Sequence, residues 1–340
     1  MNVFITGGAG FIGCNLADYH LQRGHRVTIF DNLSRRGSDW NLEWLRQRHG
    51  ARLDFRCGDI RDDNALNAAL APDTERIYHM AGQVAVTTSI VDPRQDFEIN
   101  ALGTFNVLEA MRQKAPDAAL FYASTNKVYG GMESVATAED GGRYAYQDYP
   151  YGIDEEYPLD FHSPYGCSKG AGDQYVRDYG RTYGLRTVVM RQSCIYGPRQ
   201  LGVEDQGWVA HFCIATQYGR PLTIYGDGKQ VRDVLWIDDL IAAYEAAAER
   251  IDVAAGQIYN LGGGPENTMS IWAEFGPILE LLAGRPIPMT YAEWRVGDQR
   301  VFVSDIRKAE RELGWRPRVG VQEGIERLWR WVGENPDLFA

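Results

Sequence analysis

A chain of 340 residues with 44% apolar content has room for two domains, or for one large domain with an elaborated end, and for a sizeable core. Its formal net charge of −11 would repel nucleic acid and anionic membrane surfaces, so neither is an expected partner, and any phosphate must be held locally. No apolar run approaches the roughly 18 residues of a membrane span, and the N-terminus has neither the basic start nor the cleavage region of a signal peptide, so a soluble, cytoplasmic protein is expected.

The first predicted element is the strand "NVFIT" at 2–6, followed at once by Gly7, Gly10 and Gly13 and then by a helical pattern. Glycines in this spacing permit a tight turn, close approach of the backbone to a pyrophosphate, and close packing of the helix, whose first N–H groups and dipole favour an anion. The next strand, "RVTIF" at 26–30, ends on Asp31. A carboxylate there accepts hydrogen bonds from adenosine ribose hydroxyls and repels a 2′-phosphate, which favours NAD over NADP. Arg35 and Arg36 nearby temper that preference.

Further β-rich runs follow: "RLDFR" (52–56), "RIYHM" (76–80), "ALFYA" (119–123) and "RTVVMR" (186–191). Apolar runs of this kind, separated by helical stretches, indicate a doubly wound parallel sheet covered on both faces. After the third strand, Gly58–Asp59–Ile60 is placed to meet the adenine edge; alternatively, Asp59 only caps the next helix. Residues 131–160 carry five tyrosines (144, 146, 149, 151, 157) and read as a flap over a site. Beyond "YGPRQ" (196–200) the rhythm breaks into shorter, Gly-punctuated pieces, which suggests a smaller, partly interleaved second domain. The stretch 231–250 reads as strand then helix and returns to the main sheet. The expected division is 1–197 plus 231–254 for dinucleotide binding, and 198–230 plus 255–340 for substrate. Five scattered cysteines without a CxxC fit reduced thiols in a cytosol, with Cys167 a small filler. None of the six histidines has metal-ligand spacing, so no metal is expected.

The chemistry is concentrated in two stretches. "ASTNKVYG" (123–130) delivers a hydroxyl, Thr125, at a strand end, with Asn126 and Lys127 directly behind it. "SPYGCSKGAGDQY" (163–175) puts Tyr165 and Lys169 four apart, on one helical face. An ammonium there stabilises a phenolate, an oxidised nicotinamide adds positive charge, and Thr125 hydrogen-bonds the same substrate oxygen, so the tyrosine can take a proton from an alcohol.

From "TGGAGFIG" through "HMAGQ", "VYG", "SPYGCSK", "YGPRQ" and "VRDVLWIDDL" to "RVGDQR", the chain resembles an extended short-chain dehydrogenase/reductase of the NAD-dependent sugar-nucleotide epimerase/dehydratase family. The resemblance implies an α/β Rossmann fold with a smaller C-terminal substrate domain, and Thr125, Tyr165 and Lys169 as the catalytic set. It implies cofactor contacts from Gly7, Gly10, Phe11, Ile12, Gly13, Asp31, Asn32, Ser34, Arg35, Asp59, Ile60, Ala81, Gln83, Asn100, Tyr165 and Lys169. Asn100 would also shape the active-site helix. Substrate contacts would come from Gln83, Thr125, Asn126 and Gln192, with Arg232 and Arg295 clamping the diphosphate. The alternatives are a loop hydrogen bond for Gln83 and ion pairs with Asp233 or Asp298 for the arginines. Trp208 and His211 either line the nucleotide pocket or, for Trp208, pack the core. Relatives commonly pair through helices beside the active-site helix, which implies a homodimer or homotetramer.

Dehydratases of the family carry an Asp-Glu pair directly after the threonine, because eliminating water needs an acid and a base beyond the tyrosine. Asn126 and Lys127 can play neither role. What remains is oxidation to a keto-sugar and return of the hydride to the other face, with NAD retained. "DNLSRRGSDWNLEWL", "AGQVAVTTSI", "STNKVYG", "DFHSPYGCSKG" and "DQGWV" resemble the CDP-paratose/CDP-tyvelose 2-epimerase branch. This implies inversion at C2 of a CDP-linked hexose, with CDP-sugar as substrate and other nucleoside-diphosphate sugars possible. The alternatives are a 4-epimerase with the same apparatus, a net dehydrogenase or reductase, and a non-catalytic NAD-sensing protein.

Overall fold

The run of short apolar strands does build one sheet. In the computed structural model, which describes residues 1–295 and 297–339, its strands are β1 (Asn2–Thr6), β2 (Arg26–Asp31), β3 (Leu53–Cys57), β4 (Arg76–His79), β5 (Ala119–Thr125), β6 (Arg186–Gln192) and β7 (Ile258–Leu261). Their order is β7-β6-β5-β4-β1-β2-β3, and the β1–β2, β1–β4, β2–β3 and β4–β5 ladders are parallel. Successive side chains of a strand point to opposite faces, yet Val3, Phe4 and Ile5 are all buried, as covering helices on both faces require. Phe4, Ile77, Leu120 and Val189 share one core cluster with Val107, Leu108 and Met111. These last belong to a helix over Gly103–Lys114. Truncating a fully buried Leu120 or Ile77 to alanine costs about 2–5 kcal/mol.

Two helices matter to the site: α1 (Phe11–Gln22) and α2 (Ser163–Tyr183). Ser163 Oγ accepts the first-turn N–H of Gly166 at 3.3 Å, so a capping hydroxyl starts the helix that carries the Tyr-Lys pair. Deeper in α2, Asp173 meets Arg191 of β6 through two bonds, Nε to Oδ2 at 2.9 Å and Nη2 to Oδ1 at 3.0 Å, and Ser124 Oγ donates to Oδ2 at 2.7 Å. Helix and sheet are thus locked together by a buried, fully bonded ion pair, the kind whose half-removal costs about 3–5 kcal/mol.

The chain divides into two compact units, Met1–Val128 with Ser163–Arg191 and Ile241–Tyr259, and Tyr129–His162 with Gln192–Leu240 and Asn260–Ala340. These boundaries differ from the expected 1–197 plus 231–254. The strand Val231–Trp236 does not return to the main sheet: it pairs with Cys194–Tyr196, Thr268–Ser270 and Val301–Phe302. Only the helix that follows it, from Ile241, belongs with the first unit.

The tyrosine-rich segment 131–160 is the other departure. It forms an antiparallel hairpin, Thr137–Asp140 with Arg143–Tyr146, inside the second unit. Tyr144 Oη donates to Asp227 at 2.6 Å and Tyr146 Oη to the Val301 carbonyl at 2.9 Å. Tyr149 stacks edge-on with Tyr146 and Tyr157. Tyr144, Tyr146 and Tyr157 therefore pack within this unit, whereas Tyr149 and Tyr151 are exposed. Trp208 lies edge-on to Phe212 and Phe275, the core role. Among the described residues, no helix is long and apolar enough to cross a membrane and no cluster of three or more His, Cys, Asp or Glu side chains could hold a metal ion.

Candidate active site

The phosphate cradle is built by two close approaches. Gly7 has φ of +67°, and a Cβ there would lie 2.5 Å from the Ala81 nitrogen. A Cβ on Gly13 would lie 2.2 Å from the Gly7 oxygen, so only glycine lets α1 start this close to β1. Gly10 differs: its Cβ would meet only the Gly7 oxygen, at 3.2 Å. The space above Gly10 is open, and the N–H groups of Phe11, Ile12 and Gly13, at the start of α1, lack intrahelical partners. An anion fits there.

Asp31 ends β2 as expected. Its Oδ2 accepts the Ala9 N–H at 3.0 Å and its Oδ1 the Leu33 N–H at 2.8 Å. Burial pushes its carboxyl upward against these two bonds. Asn32 donates to Asp59 at 2.9 Å and accepts the Ser34 N–H at 3.0 Å. Asp59 also takes two bonds from the Arg61 guanidinium, which hold its carboxyl down at about 2. Asp59 does not cap the next helix; Asp62 does, accepting the Ala65 N–H. The Ile60 side chain lies in the core cluster, so only its backbone can face an adenine.

The catalytic candidates come together at the ends of β5 and α2. Thr125, Tyr165 and Lys169 are buried. Burial pushes the Tyr165 phenol up to about 12, with Asp96 adding to the rise, against the hydrogen bond with Thr125 and the Arg35 charge, which lower it. Thr125 Oγ1 donates to Asn126 Oδ1 at 3.3 Å and accepts the Lys127 N–H at 3.3 Å.

The Lys169 ammonium donates to the Ala123 carbonyl at 2.6 Å and sits 4.2 Å from the centre of the Tyr122 ring. Desolvation lowers its pKa to about 7. In the protein alone, burial keeps Tyr165 a neutral phenol. Cys167, between them on α2, is exposed, on the other face from the buried pair.

Gln83 shows the loop hydrogen bond given as its alternative, and Asn100 reaches the active-site helix through Ser168 Oγ at 3.2 Å. Gln83 Nε2 donates to the Ala85 carbonyl at 2.8 Å and to Asp96 Oδ1 at 2.8 Å, and its Oε1 accepts the Ala85 N–H. In the protein alone its amide is bonded to its own loop and to Asp96. Asn100 lies in a π-helical turn, Glu98–Leu102, and braces the Gln83 backbone through an accepted N–H at 2.9 Å and a donated bond at 3.0 Å. It is almost fully buried and braces the loop. Asp96 was missed by the sequence reading; "DPRQDFEIN" marks it only as one acid on a helical turn.

In the second unit, Arg232 Nη2 donates to Asp298 at 2.6 Å and Nη1 to the Val231 carbonyl at 2.8 Å. Arg295 pairs with Asp205 at 3.0 Å, lies 3.9 Å from the Tyr225 ring centre, and donates to the Glu204 carbonyl at 3.2 Å. Asp233 is not their partner; it accepts from Ser193 and from the Gly264 and Ser304 N–H groups. Gln192 is buried at the end of β6.

A glycine cradle on the first βα turn, an acid ending the second strand and a Tyr-Lys helix beside a strand-end threonine define an extended short-chain dehydrogenase/reductase. The chain belongs to the NAD-dependent sugar-nucleotide epimerase/dehydratase family: residues 4–328 match the family described as GDP-mannose 4,6 dehydratase. It is 45% identical over 340 residues to CDP-paratose 2-epimerase of Salmonella typhi, covering 98% of this chain and 99% of that one. Among solved structures, it is similar to UDP-glucose 4-epimerase of Thermotoga maritima with UDP-glucose, at a TM-score of 0.85, 27% identity, and 99% and 100% coverage of the two chains. It is also similar to a dTDP-glucose 4,6-dehydratase of Streptomyces venezuelae with NAD bound, at a TM-score of 0.84, 30% identity, and 99% and 98% coverage.

Proposed function

We propose that this enzyme is an NAD-dependent sugar-nucleotide epimerase that inverts C2 of a CDP-linked hexose, of the CDP-paratose/CDP-tyvelose type, through a transient 2-keto sugar. The observation that carries the reading is the content of the site after Thr125: an amide and an ammonium, Asn126 and Lys127, stand where water elimination would need carboxylates. The choice of C2 and of CDP is supported by full-length similarity to CDP-paratose 2-epimerase.

The cradle at Gly7, Gly10 and Gly13 and the Asp31 carboxylate would hold NAD. Bound NAD supplies a hydride acceptor and donor, and, when oxidised, a positive charge that favours a Tyr165 phenolate. Tyr165 Oη takes the proton of the C2 hydroxyl and later returns it, while Thr125 holds the same oxygen in line. Lys169, fixed on the Ala123 carbonyl, keeps a positive charge behind the pair. Arg232 and Arg295 would grip the diphosphate, exchanging their carboxylate partners for phosphate oxygens. Such a grip lets the keto-sugar turn and be reduced on its other face.

Exposed Ile90, Val91, Phe97, Phe105 and Tyr175, on helices flanking or forming α2, support pairing of two copies in solution. The reaction is tested by incubating enzyme with CDP-paratose, CDP-glucose and UDP-glucose and identifying epimers by NMR. Conversion of CDP-paratose to its C2 epimer is expected. UDP-galactose as main product would establish the 4-epimerase alternative instead. Tyr165→Phe is expected to lower turnover by several orders of magnitude while NAD stays bound.

A further inference from the structure

Asp96 is fully buried, and no contact with cofactor or substrate is assigned to it. Three donors converge on its carboxylate: Gln83 Nε2 at 2.8 Å and Asn100 Nδ2 at 3.1 Å on Oδ1, and Ser168 Oγ on Oδ2. They come from three elements: the loop after β4, the π-helical turn, and α2 one residue before Lys169. Amide N–H₂ groups can only donate, so Oδ1 is an unprotonated acceptor. The amide orientations are fixed by the rest of the network, because Asn100 Oδ1 takes the Gln83 N–H and Nδ2 also reaches Ser168 Oγ at 3.2 Å.

We propose that Asp96 is a positioning residue for the reaction: its buried carboxylate ties the Gln83 loop and the Asn100 turn to α2, and its charge biases the Tyr165–Lys169 pair. The proposal rests on the proton-transfer role given to Tyr165. A hub that holds three elements by one acceptor fixes where α2 presents Tyr165, and misplacement of about 1 Å at a reacting centre costs on the order of a hundredfold in rate.

The charge has a defined sign. The groups facing Lys169 are Asp96, Asp173 and His79; those facing Tyr165 are Asp96 and Arg35. Asp96 favours the protonated form of Lys169, after Asp173 and against the larger effect of burial, and opposes ionisation of the Tyr165 phenol. Removing the carboxylate therefore lets the phenol ionise at lower pH.

Asp96→Asn keeps the shape and removes the charge. The expected result is a kcat lowered about tenfold or more, unchanged NAD content, and an acid limb of the kcat/KM profile moved to lower pH. Ser168→Ala keeps the charge and cuts its tie to α2; kcat is expected to fall with the acid limb in place. Asp96→Asn with wild-type kcat and profile overturns the proposal, as does wild-type kcat in Ser168→Ala should Asp96→Asn not fold. A rate loss in Asp96→Asn without the shifted limb overturns the electrostatic part. Tyr165→Phe distinguishes the layers: normal turnover there removes the tyrosine's role itself, whereas an inactive Tyr165→Phe beside an unaltered Asp96→Asn overturns only the hub.

Discussion

Replacing Gly10 and Gly13 in turn by alanine separates what holds the cofactor from what holds the fold. At Gly13 the new methyl would stand 2.2 Å from the Gly7 oxygen, 2.7 Å from the Gly8 Cα and 2.9 Å from the Gly7 carbonyl carbon. All three are backbone atoms, so no side chain can swing away; the turn or α1 itself must shift. Overpacking of this kind costs about 3 kcal/mol or more, offset by only about 0.4–1 kcal/mol from stiffening the unfolded chain. A melting temperature lower by roughly 3–4 °C follows. At Gly10 the backbone, with φ of −74° and ψ of 178°, suits alanine, and the methyl meets a single atom at 3.2 Å. The stability change there stays under about 1 kcal/mol, but the methyl fills the space through which a pyrophosphate must approach. Gly10→Ala is therefore expected to melt near wild type and to carry little NAD, measured as nucleotide released per chain on denaturation. Gly10→Ala that retains wild-type NAD content and affinity would refute the placement of the pyrophosphate over α1.

Glu155 is held about 7 by burial against the lowering pull of the Asn260 N–H and Lys308, so the folded chain binds its proton between pH 4.5 and 7 where the unfolded chain does not, and stability falls as pH rises through that window. Glu155→Gln keeps the acceptor for Asn260 and should flatten this fall, leaving the variant on the order of 2 kcal/mol more stable above pH 7; an equally steep decline in the variant's melting temperature contradicts it. Asp205→Asn frees Arg295 from a partly exposed ion pair worth at most about 1 kcal/mol, so CDP should bind up to about fivefold tighter by calorimetry. Unchanged or weaker binding would remove Arg295 from the diphosphate.

The legible parts of the molecule are those decided within a few residues. "NVFIT" became Asn2–Thr6 and the glycine turn opened α1 where its spacing placed it, because steric freedom and helix-end chemistry act locally. β5 and β6 were equally readable, each a continuous buried run. The strand Val231–Trp236 was visible but not its neighbours, which come from 194–196, 268–270 and 301–302; no local pattern encodes such distant pairing. β7, only four residues long, carried too little periodicity to be found. The pairing of Gln83 with Asp96 was hidden for a related reason: the two meet only through the fold. The tyrosines of 131–160 announced an aromatic cluster, and the sequence had no way to tell packing from a flap.

The protonation of Tyr165 links the geometry to the chemistry. A phenol at about 12 is ionised at pH 7 only at a cost of roughly 7 kcal/mol, too much for a resting general base. Lys169 offers limited relief, because burial brings its own pKa down to about 7 and one of its three N–H groups is given to the Ala123 carbonyl. In the proposed reaction, Arg35 lowers the phenol only in part, and further positive charge comes from oxidised NAD, the group the cradle selects. The tyrosine is then a base only when cofactor is present and oxidised, and an acid once the sugar has been oxidised, which matches proton movement to hydride movement in both directions. The measurable consequence is a tyrosinate absorbance titration of wild type minus Tyr165→Phe. The difference signal should rise at lower pH in enzyme loaded with NAD than in enzyme stripped of it. Coincident titrations would mean that the cofactor's charge does not reach the phenol, and that Tyr165 is prepared for proton transfer by some other group.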